Sequence, residues 1–517
     1  MSERVHIEFQ RVQTWLFSVP RLQAMVGANT LLGEVLRIDL VELAQNGGGA
    51  RPWTLARQAT TLTVSVPDID PLKSHDDPAA DAELGIFARD GGHFEAQFER
   101  GVDAFIEDAT ELIRRKLPGL RYKVEKGLKP SVRPVSRGIA VTPVELPVLE
   151  PCEWMGRGVA SGTISPGGED VNVSVQVGER VRAFKKVRDG AAQDLASLLV
   201  TETNLGRLRR PLTFEELAGR GYLAVIHADG NGIGAAGETH YYRNRVLVRA
   251  ALKVAINAAC APASAGQGAS FSDVAPLVLM MLGGDDVLIV SKASVAMTFV
   301  VNCCKELDRL QMETTDTAET TVKLTLGVGV AIAHPKLPFH RLHELAEALS
   351  GSAKRRYRGL PDGERASVVD WAIYNGFKAS DLAAVRADEW ICGTGGERRI
   401  LSRRPLMVLG SGLDRLEGLL DGVSRLGADP PRSPLRFLIE QLPRGRALAD
   451  LAFQEMSPDA KRALSRAGVN QLWESAQTSG SAIVTSVLDL VELFEIPRLG
   501  RPATAQPAVA NVGNTDV

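Results

Sequence analysis

A chain of 517 residues, 44% hydrophobic and 24% charged with a formal net charge of −2, has the make-up of a globular protein with two to four domains and a sizeable core. The near balance of charge excludes a globally basic nucleic-acid binder, so any such contact comes from a local patch or a partner. There is no apolar run long enough to span a membrane, MSERVHIEFQ lacks the apolar core of a signal peptide, and five scattered cysteines fit a reducing cytoplasm and argue against a disulfide-linked assembly.

In chain order, RVHIEF (4–9) reads as a strand and PRLQAMVGANTLLGEVLRIDLVELA (20–44) as a helix. Two loop-prone stretches follow, QNGGGARPW (45–53) and PDIDPLKSHDDPAADAE (67–83). LGIFARDGGHFEAQF (84–98) is strand, turn, strand, with Gly91 and Gly92 at the tip followed by His93 and Phe94. ERGVDAFIEDATELIRRKL (99–117) is a helix and LRYKVE (120–125) a strand. The order then repeats. YLAVIHA (222–228) is a strand, YYRNRVLVRAALKVAINAAC (241–260) a helix, and APASAGQGASFSD (261–273) a small-residue loop. PLVLMML and VLIV are strands on either side of a GGDD turn. ASVAMTFVVNCCKELDRL (293–310) is a helix, VKLTLGVGVAIA (322–333) a strand and RLHELAEALSGSAKRRY (341–357) a helix. Both halves show β-α-β-β-α-β, the ferredoxin-like order, which implies an internal duplication. The fold class is α+β: two ferredoxin-like units, a small intervening segment, and a C-terminal region of helical pattern that includes SPLRFLIEQL and GSAIVTSVLDLVELFEI. The polar tail from Leu499 reads as disordered.

Chemistry concentrates in LMMLGGDDVLIV (279–290), where Asp285 and Asp286 interrupt an apolar run. Buried carboxylates are costly unless something positive meets them. The strand before, YLAVIHADGNG, ends in Asp229, and in a split βαβ sheet this strand neighbours the central hairpin. Three carboxylates at one sheet edge repel each other unless a cation lies between them, and hard oxygen ligands suit Mg²⁺ or Mn²⁺. Two such ions suit activation of a ribose 3′-hydroxyl and release of pyrophosphate from a nucleoside triphosphate. Gly283 and Gly284 leave the turn bare for a bulky substrate. The Gly230-Asn231-Gly232 loop follows the first strand; its glycine spacing to Gly234 and Gly237 matches a dinucleotide fingerprint, but no acid occurs from Thr239 to Ser272, so it reads better as a triphosphate loop. The following helix carries Arg243, Arg245, Arg249 and Lys253, read as a solvated face, with phosphate or RNA binding as the alternative. Lys354, Arg355 and Arg356, in AKRRYRG, end the last helix; one of them, Lys354 foremost, is placed to reach the triphosphate, the alternative being favourable charge at a helix C-terminus. Cys303, Cys304 and His227 read as packed residues, with His227 beside the acids.

Four stretches resemble the large subunit of type III CRISPR effector complexes, the Palm-domain cyclic oligoadenylate synthetase: FQRVQTWLFSVPRLQAMVGANTLLGEVL (9–36), HADGNGIG (227–234), LGGDDVLIV (282–290) and LGVGVAIAHPKLPFHRLHELAEALSGSAKRR (326–356). The resemblance implies two Palm domains, at 1–140 without the acids and at 221–400 with GGDD. It also implies a linker domain at 141–220, a helical domain at 401–498 and a tail at 499–517. It implies ATP as substrate, cyclic oligoadenylates as product, CRISPR RNA and other effector subunits as partners, and target RNA as activator. Asp229, Asp285 and Asp286 map onto metal binding and catalysis. Gly230, Asn231, Gly232, Gly283, Gly284 and Lys354 map onto nucleotide binding. There are three departures. No HD nuclease is expected, because the one His-Asp pair, His75-Asp76, reads as a solvated loop. PCEWMGRGVA (151–160) resembles a zinc knuckle in which Met155 replaces a cysteine, so no zinc is expected. Asn231 stands where the family often has a second acid. A stand-alone antiviral nucleotide cyclase and a catalytically silent scaffold subunit are the competing readings.

Overall fold

The computed structural model describes residues 2–47, 52–57, 69–127, 135–137, 149–156, 158–232, 237–261, 273–313, 323–374, 376, 381–394, 398–427, 430–476 and 482–500. Most of the 261–273 loop, Gly234 of the glycine-rich stretch and the tail beyond Gly500 lie outside them.

Strand β1 (Glu3–Gln10) buries Val5, Ile7 and Phe9 and turns His6 and Glu8 to the opposite face, as a period of two dictates. It lies between β3 (His93–Arg100) and β4 (Arg121–Lys126), antiparallel to both; β2 (Ile86–Asp90) pairs with β3, giving the order β2-β3-β1-β4 within a six-stranded sheet that Thr54–Leu55 and Val135–Arg137 extend. Helices α1 (Leu22–Glu34) and α2 (Val102–Lys116) contribute Ala28, Leu32, Phe105 and Ile113 to the apolar core beneath it. The single helix expected over 20–44 is divided: a π-helical turn, Val35–Asp39, joins α1 to a second helical stretch, Leu40–Asn46.

The intervening segment packs on this unit. Its helix α3 (Val175–Arg188) crosses α1 so closely that a Cβ at Gly27 would lie 1.8 Å from the Arg180 carbonyl oxygen. Arg180, fully buried, donates to the carbonyl oxygens of Trp15 and Leu16 at 3.0 and 3.3 Å. Around the knuckle-like stretch, buried Cys152 joins Val19, Ala24, Val173, Val177 and Val181, with Trp154 and Met155 against them. Apolar packing holds this segment.

The second unit repeats the topology. Strands β5 (Leu223–Gly230), β6 (Leu277–Gly283), β7 (Asp286–Lys292) and β8 (Leu326–Ala333) lie in the order β6-β7-β5-β8, and helices α4 (Gly237–Ala259) and α5 (Ala293–Glu313) pack on one face. Buried Cys303 and Cys304 face this core, and burial pushes both thiols upward. Helix α6 (Phe339–Arg358) covers the other face and leads to β9 (Val368–Ile373), parallel to β8.

Glycines in LGVGVAIA set the distance between α6 and β8. A Cβ at Gly329 would lie 2.0 Å from the Ala346 carbonyl oxygen and 2.4 Å from the Ser350 nitrogen, both backbone atoms. Gly329→Ala is therefore expected to force the helix off the sheet at a cost of about 1–3 kcal/mol, read as a lowered chemical-denaturation midpoint. An unchanged midpoint would show that the helix is not seated so tightly.

The C-terminal region contains the helices Leu416–Leu426, Arg432–Gln441, Arg446–Gln454, Pro458–Arg466 and Val487–Glu495, which share the core of the second unit. It is not helical throughout. Leu406–Met407 adds strand β10 to the second sheet, and Ile391–Cys392, Arg399–Ile400, Ile483–Val484 and Glu474–Ser475 form a small sheet across residue 400. Strands of two residues leave no periodicity to read. No described helix is long and apolar enough to cross a membrane.

Candidate active site

The β5–β7 register places Ala228 opposite Val287, so the turn Gly283–Asp286 projects just past the end of β5, beside Asp229. The tight turn is made by Gly284, whose φ of 69° is the left-handed conformation that glycine adopts without strain. All three predicted carboxylates thus meet at one sheet edge. Burial, then the charge of Asp229, pushes the Asp285 carboxyl up to about 6; Asp286 adds to the rise, while hydrogen bonds from backbone amides, Gly230 among them, oppose it.

The other two acids have cationic or imidazole partners. On the far side of β5, Gly327 of β8 pairs with Asp229, and a Cβ at Gly327 would lie 2.6 Å from the Lys354 Cγ. The bare glycine gives the lysine stem its path across β8, and Lys354 Nζ forms an ion pair with Asp229 Oδ2. His227 Nε2 lies 2.8 Å from Asp286 Oδ1. Burial depresses the His227 imidazole, but the hydrogen bond and charge of Asp286 outweigh it and hold His227 above its ordinary range. His343 and Glu347 stand behind this pair. The His343 ring lies 6.0 Å from that of His227, and burial with His227 pulls His343 down to about 3. Burial raises the Glu347 carboxyl. Neither was singled out by its sequence context. The signal that locates them is helical spacing: His343, Glu347, Ser350 and Lys354 recur along one face of α6.

Gly230 and Asn231 are buried, and Gly232 is exposed with φ of 74°. The Asn231 amide donates through Nδ2 to Thr325 Oγ1 at 3.0 Å, which leaves its buried Oδ1 without a hydrogen-bond partner. Three carboxylates and a spare amide oxygen are hard donors of the kind Mg²⁺ and Mn²⁺ take. Among the described residues, however, no three His, Cys, Asp or Glu side chains already converge as an ion's ligand set. The donor chemistry fits a divalent ion; Lys354 and His227 are the groups that hold two of the acids instead.

The expected solvated basic face of α4 is corrected by the structure. Arg245 and Arg249 are buried, and both contact Oδ2 of Asp76, which is itself 1% exposed. Arg37 of the first unit meets the other oxygen of Asp76 at 2.9 Å. Arg245 also reaches Asp90 at 2.8 Å, and Arg249 reaches Asp70 at 3.2 Å. His75-Asp76 is therefore not a solvated pair: His75 is exposed, but Asp76 is the centre of a buried cluster joining both units.

Between the units lies a cavity of about 510 Å³, large enough for a nucleotide-sized ligand. Arg11, Gln13 and His93 line one wall, and Gly283, Asp285 and Asp286 the other. The two glycine turns approach each other: a Cβ on Gly283 would lie 3.7 Å from the Gly91 Cα.

Residues 222–359 match the family model described as the second palm domain of Cas10/Cmr2. This unit is similar to a Cas10/Cmr2 second palm domain. The whole acid edge and Lys354 lie inside the matched palm segment. No curated protein matches the chain. Among solved structures, the chain is similar to Csm1 of T. onnurineus, with 12% identity and a TM-score of 0.38, covering 96% of this chain and 69% of that one. It is also similar to a Csm1–Csm4 cassette in complex with pppApApA (12% identity, TM-score 0.41, 95% and 69% covered) and to an apo Csm1–Csm4 cassette (13%, 0.37, 88% and 65%). The chain thus spans 65% of the length of the apo cassette chain it matches.

Proposed function

We propose that the protein is a metal-dependent nucleotidyltransferase that makes cyclic oligoadenylates from ATP as the large subunit of a type III CRISPR effector, activated by target RNA. The observation that carries this reading is the gathering of Asp229, Asp285 and Asp286 at one edge of a Cas10/Cmr2-like second palm, with Asp285 and Asp286 lining a cavity whose other wall is a duplicate unit. Asp229, Asp285 and Asp286 would hold Mg²⁺ or Mn²⁺, with the Asn231 carbonyl oxygen as an uncharged addition. When bound, such ions lower the pKa of an attacking hydroxyl and neutralise the leaving pyrophosphate. Gly232 and Gly283 leave backbone accessible to the triphosphate, and buried Gly230 and Gly284 shape the two turns that present it. Lys354, released from Asp229, becomes its point-charge ligand. CRISPR RNA and other effector subunits are the proposed partners, in keeping with the similar structures being Csm1–Csm4 assemblies.

Labelled ATP with Mg²⁺ or Mn²⁺ tests the reading, with and without the co-purifying RNA–protein partners, beside Asp285→Ala/Asp286→Ala. Product that needs the aspartates and the RNA complex is expected. Product without any partner points to a stand-alone cyclase, and no product from the assembled complex with target RNA leaves a scaffold. Lys354→Met keeps the apolar stem over Gly327 but removes the charge. It is expected to weaken ATP binding about tenfold, the loss of one charge-assisted contact, with a melting temperature close to wild type. Unchanged ATP affinity by calorimetry would remove Lys354 from the nucleotide site.

A further inference from the structure

The two hairpins differ just after their paired glycines: Asp285 and Asp286 follow in one, His93 and Phe94 in the other. Phe94 is fully buried core, but His93 lines the cavity opposite Asp285 and Asp286. It is not alone. His93 Nδ1 lies 3.1 Å from His6 Nε2, with the rings stacked at 5.2 Å between centroids. His6 Nδ1 lies 3.6 Å from Glu125 Oε2, and Lys123 Nζ holds the other Glu125 oxygen at 2.5 Å. Because β1 is the central strand, His6 pairs in register with Glu95 on β3 and Glu125 on β4, on the face away from the core. Three strands therefore assemble a file from Glu125 through His6 to His93 at the cavity wall.

The file favours one set of tautomers. A carboxylate only accepts, and a neutral His6 with its proton on Nδ1 turns that proton toward Glu125 across 3.6 Å, an ion-pair distance. In that tautomer His6 Nε2 is bare, and the close nitrogen of His93, Nδ1, donates to it. The remaining nitrogen of His93, Nε2, is left with a free lone pair. The groups facing His93 include His6 and Glu8 on β1, Asp90 on β2 and Glu95 on β3. Burial first, then His6, lowers its basicity; Glu8, Asp90 and Glu95 oppose this without cancelling it.

We propose that His93 is a catalytic base contributed by the unit that lacks the acids, with His6 and Glu125 as positioning residues. This rests on the nucleotidyltransferase reading. His93 Nε2 takes the proton of a ribose 3′-hydroxyl presented in the cavity. The oxygen forms a bond to the α-phosphorus of a second nucleotide, the bond from that phosphorus to the pyrophosphate oxygen breaks, and pyrophosphate leaves with the electron pair. The proton then passes from His93 to solvent.

The test uses the full chain in its assembled complex, with labelled ATP. His93→Gln is expected to lower kcat about 10²-fold, the low end for a general base, with KM within threefold of wild type. Added imidazole is expected to restore part of the rate to His93→Ala. Glu125→Ala should lower kcat less, about tenfold, and ¹⁵N spectra of the His93 ring should change from one tautomer to a mixture, which a merely structural change at Glu125 would not produce. A His93→Gln kcat within threefold of wild type, or a change in KM alone, overturns the base while leaving the enzyme reading intact. A wild-type complex that binds ATP yet makes no product overturns both. A His93 ring that carries its proton on Nε2 in wild-type spectra overturns the base whatever the activity.

Discussion

Asp285→Asn is expected to raise the melting temperature of the metal-free protein at pH 8 while removing the proposed nucleotidyl transfer. The Asp285 carboxyl is pushed up to about 6 by burial and by Asp229, against an ordinary value near 3.8. A carboxyl raised on folding costs stability wherever it must ionise. The cost is absent below about pH 4, grows as pH rises through 6, and is full above it. Two units correspond to at most about 3 kcal/mol; the group is only half-buried, and solvent screening reduces this to about 1–2 kcal/mol. Asparagine keeps the shape and the acceptor for the Gly230 amide but carries no charge. Scanning fluorimetry in EDTA should therefore show the variant melting about 1–4 °C higher at pH 8, with the gap narrowing below pH 6 and closing toward pH 4. A variant that melts lower at pH 8, or a gap independent of pH, would contradict the electrostatic account. Added Mg²⁺ should stabilise wild type and not the variant, because ligand binding to the folded state raises its stability.

Asp76→Ala is expected to have the largest effect on stability. Burial opposes its charge, but Arg245, Arg249 and Arg37 together hold its carboxyl well below the usual range. Removing it leaves buried guanidinium groups that Asp70 and Asp90 only partly answer. Breaking a buried ionic cluster by deleting one member costs about 3–5 kcal/mol. The loss should appear as a clearly lowered unfolding midpoint and as early proteolysis between the two units, since Arg37 and Arg245 lie on opposite sides of the junction. Wild-type stability for the variant would mean that the arginines find other partners without cost.

How far the site could be read in the sequence depended on how local its determinants are. Asp229 ends one strand and Asp285 and Asp286 flank a turn, so the β-α-β-β order alone brought them together. Lys354 was legible from its place at a helix end, although its observed partner is Asp229. The role of Asp76 was not legible, because a Pro/Ala-rich acidic stretch looks solvated until the arginines of α4, some 170 positions on, are seen to cover it. The His6–His93–Glu125 file was hidden in the same way: each residue is an ordinary polar position on an alternating strand, and only the sheet order makes them neighbours. His227 was read as packed or hydrogen-bonded, and it is; the sequence does not say that its partner is Asp286.

Both walls of the central cavity are drawn from one polypeptide, with Gly91 on one side and Gly283 on the other. Two separate palm chains would meet at a rate set by their abundance and would part on dilution. Here the tether fixes the effective concentration of one turn about the other at a value that no change in expression alters. It also relieves the two copies of any need to remain alike, because each always meets the same neighbour. One hairpin can keep its aspartates while the other exchanges them for an imidazole and an aromatic core residue, and every molecule still contains one of each.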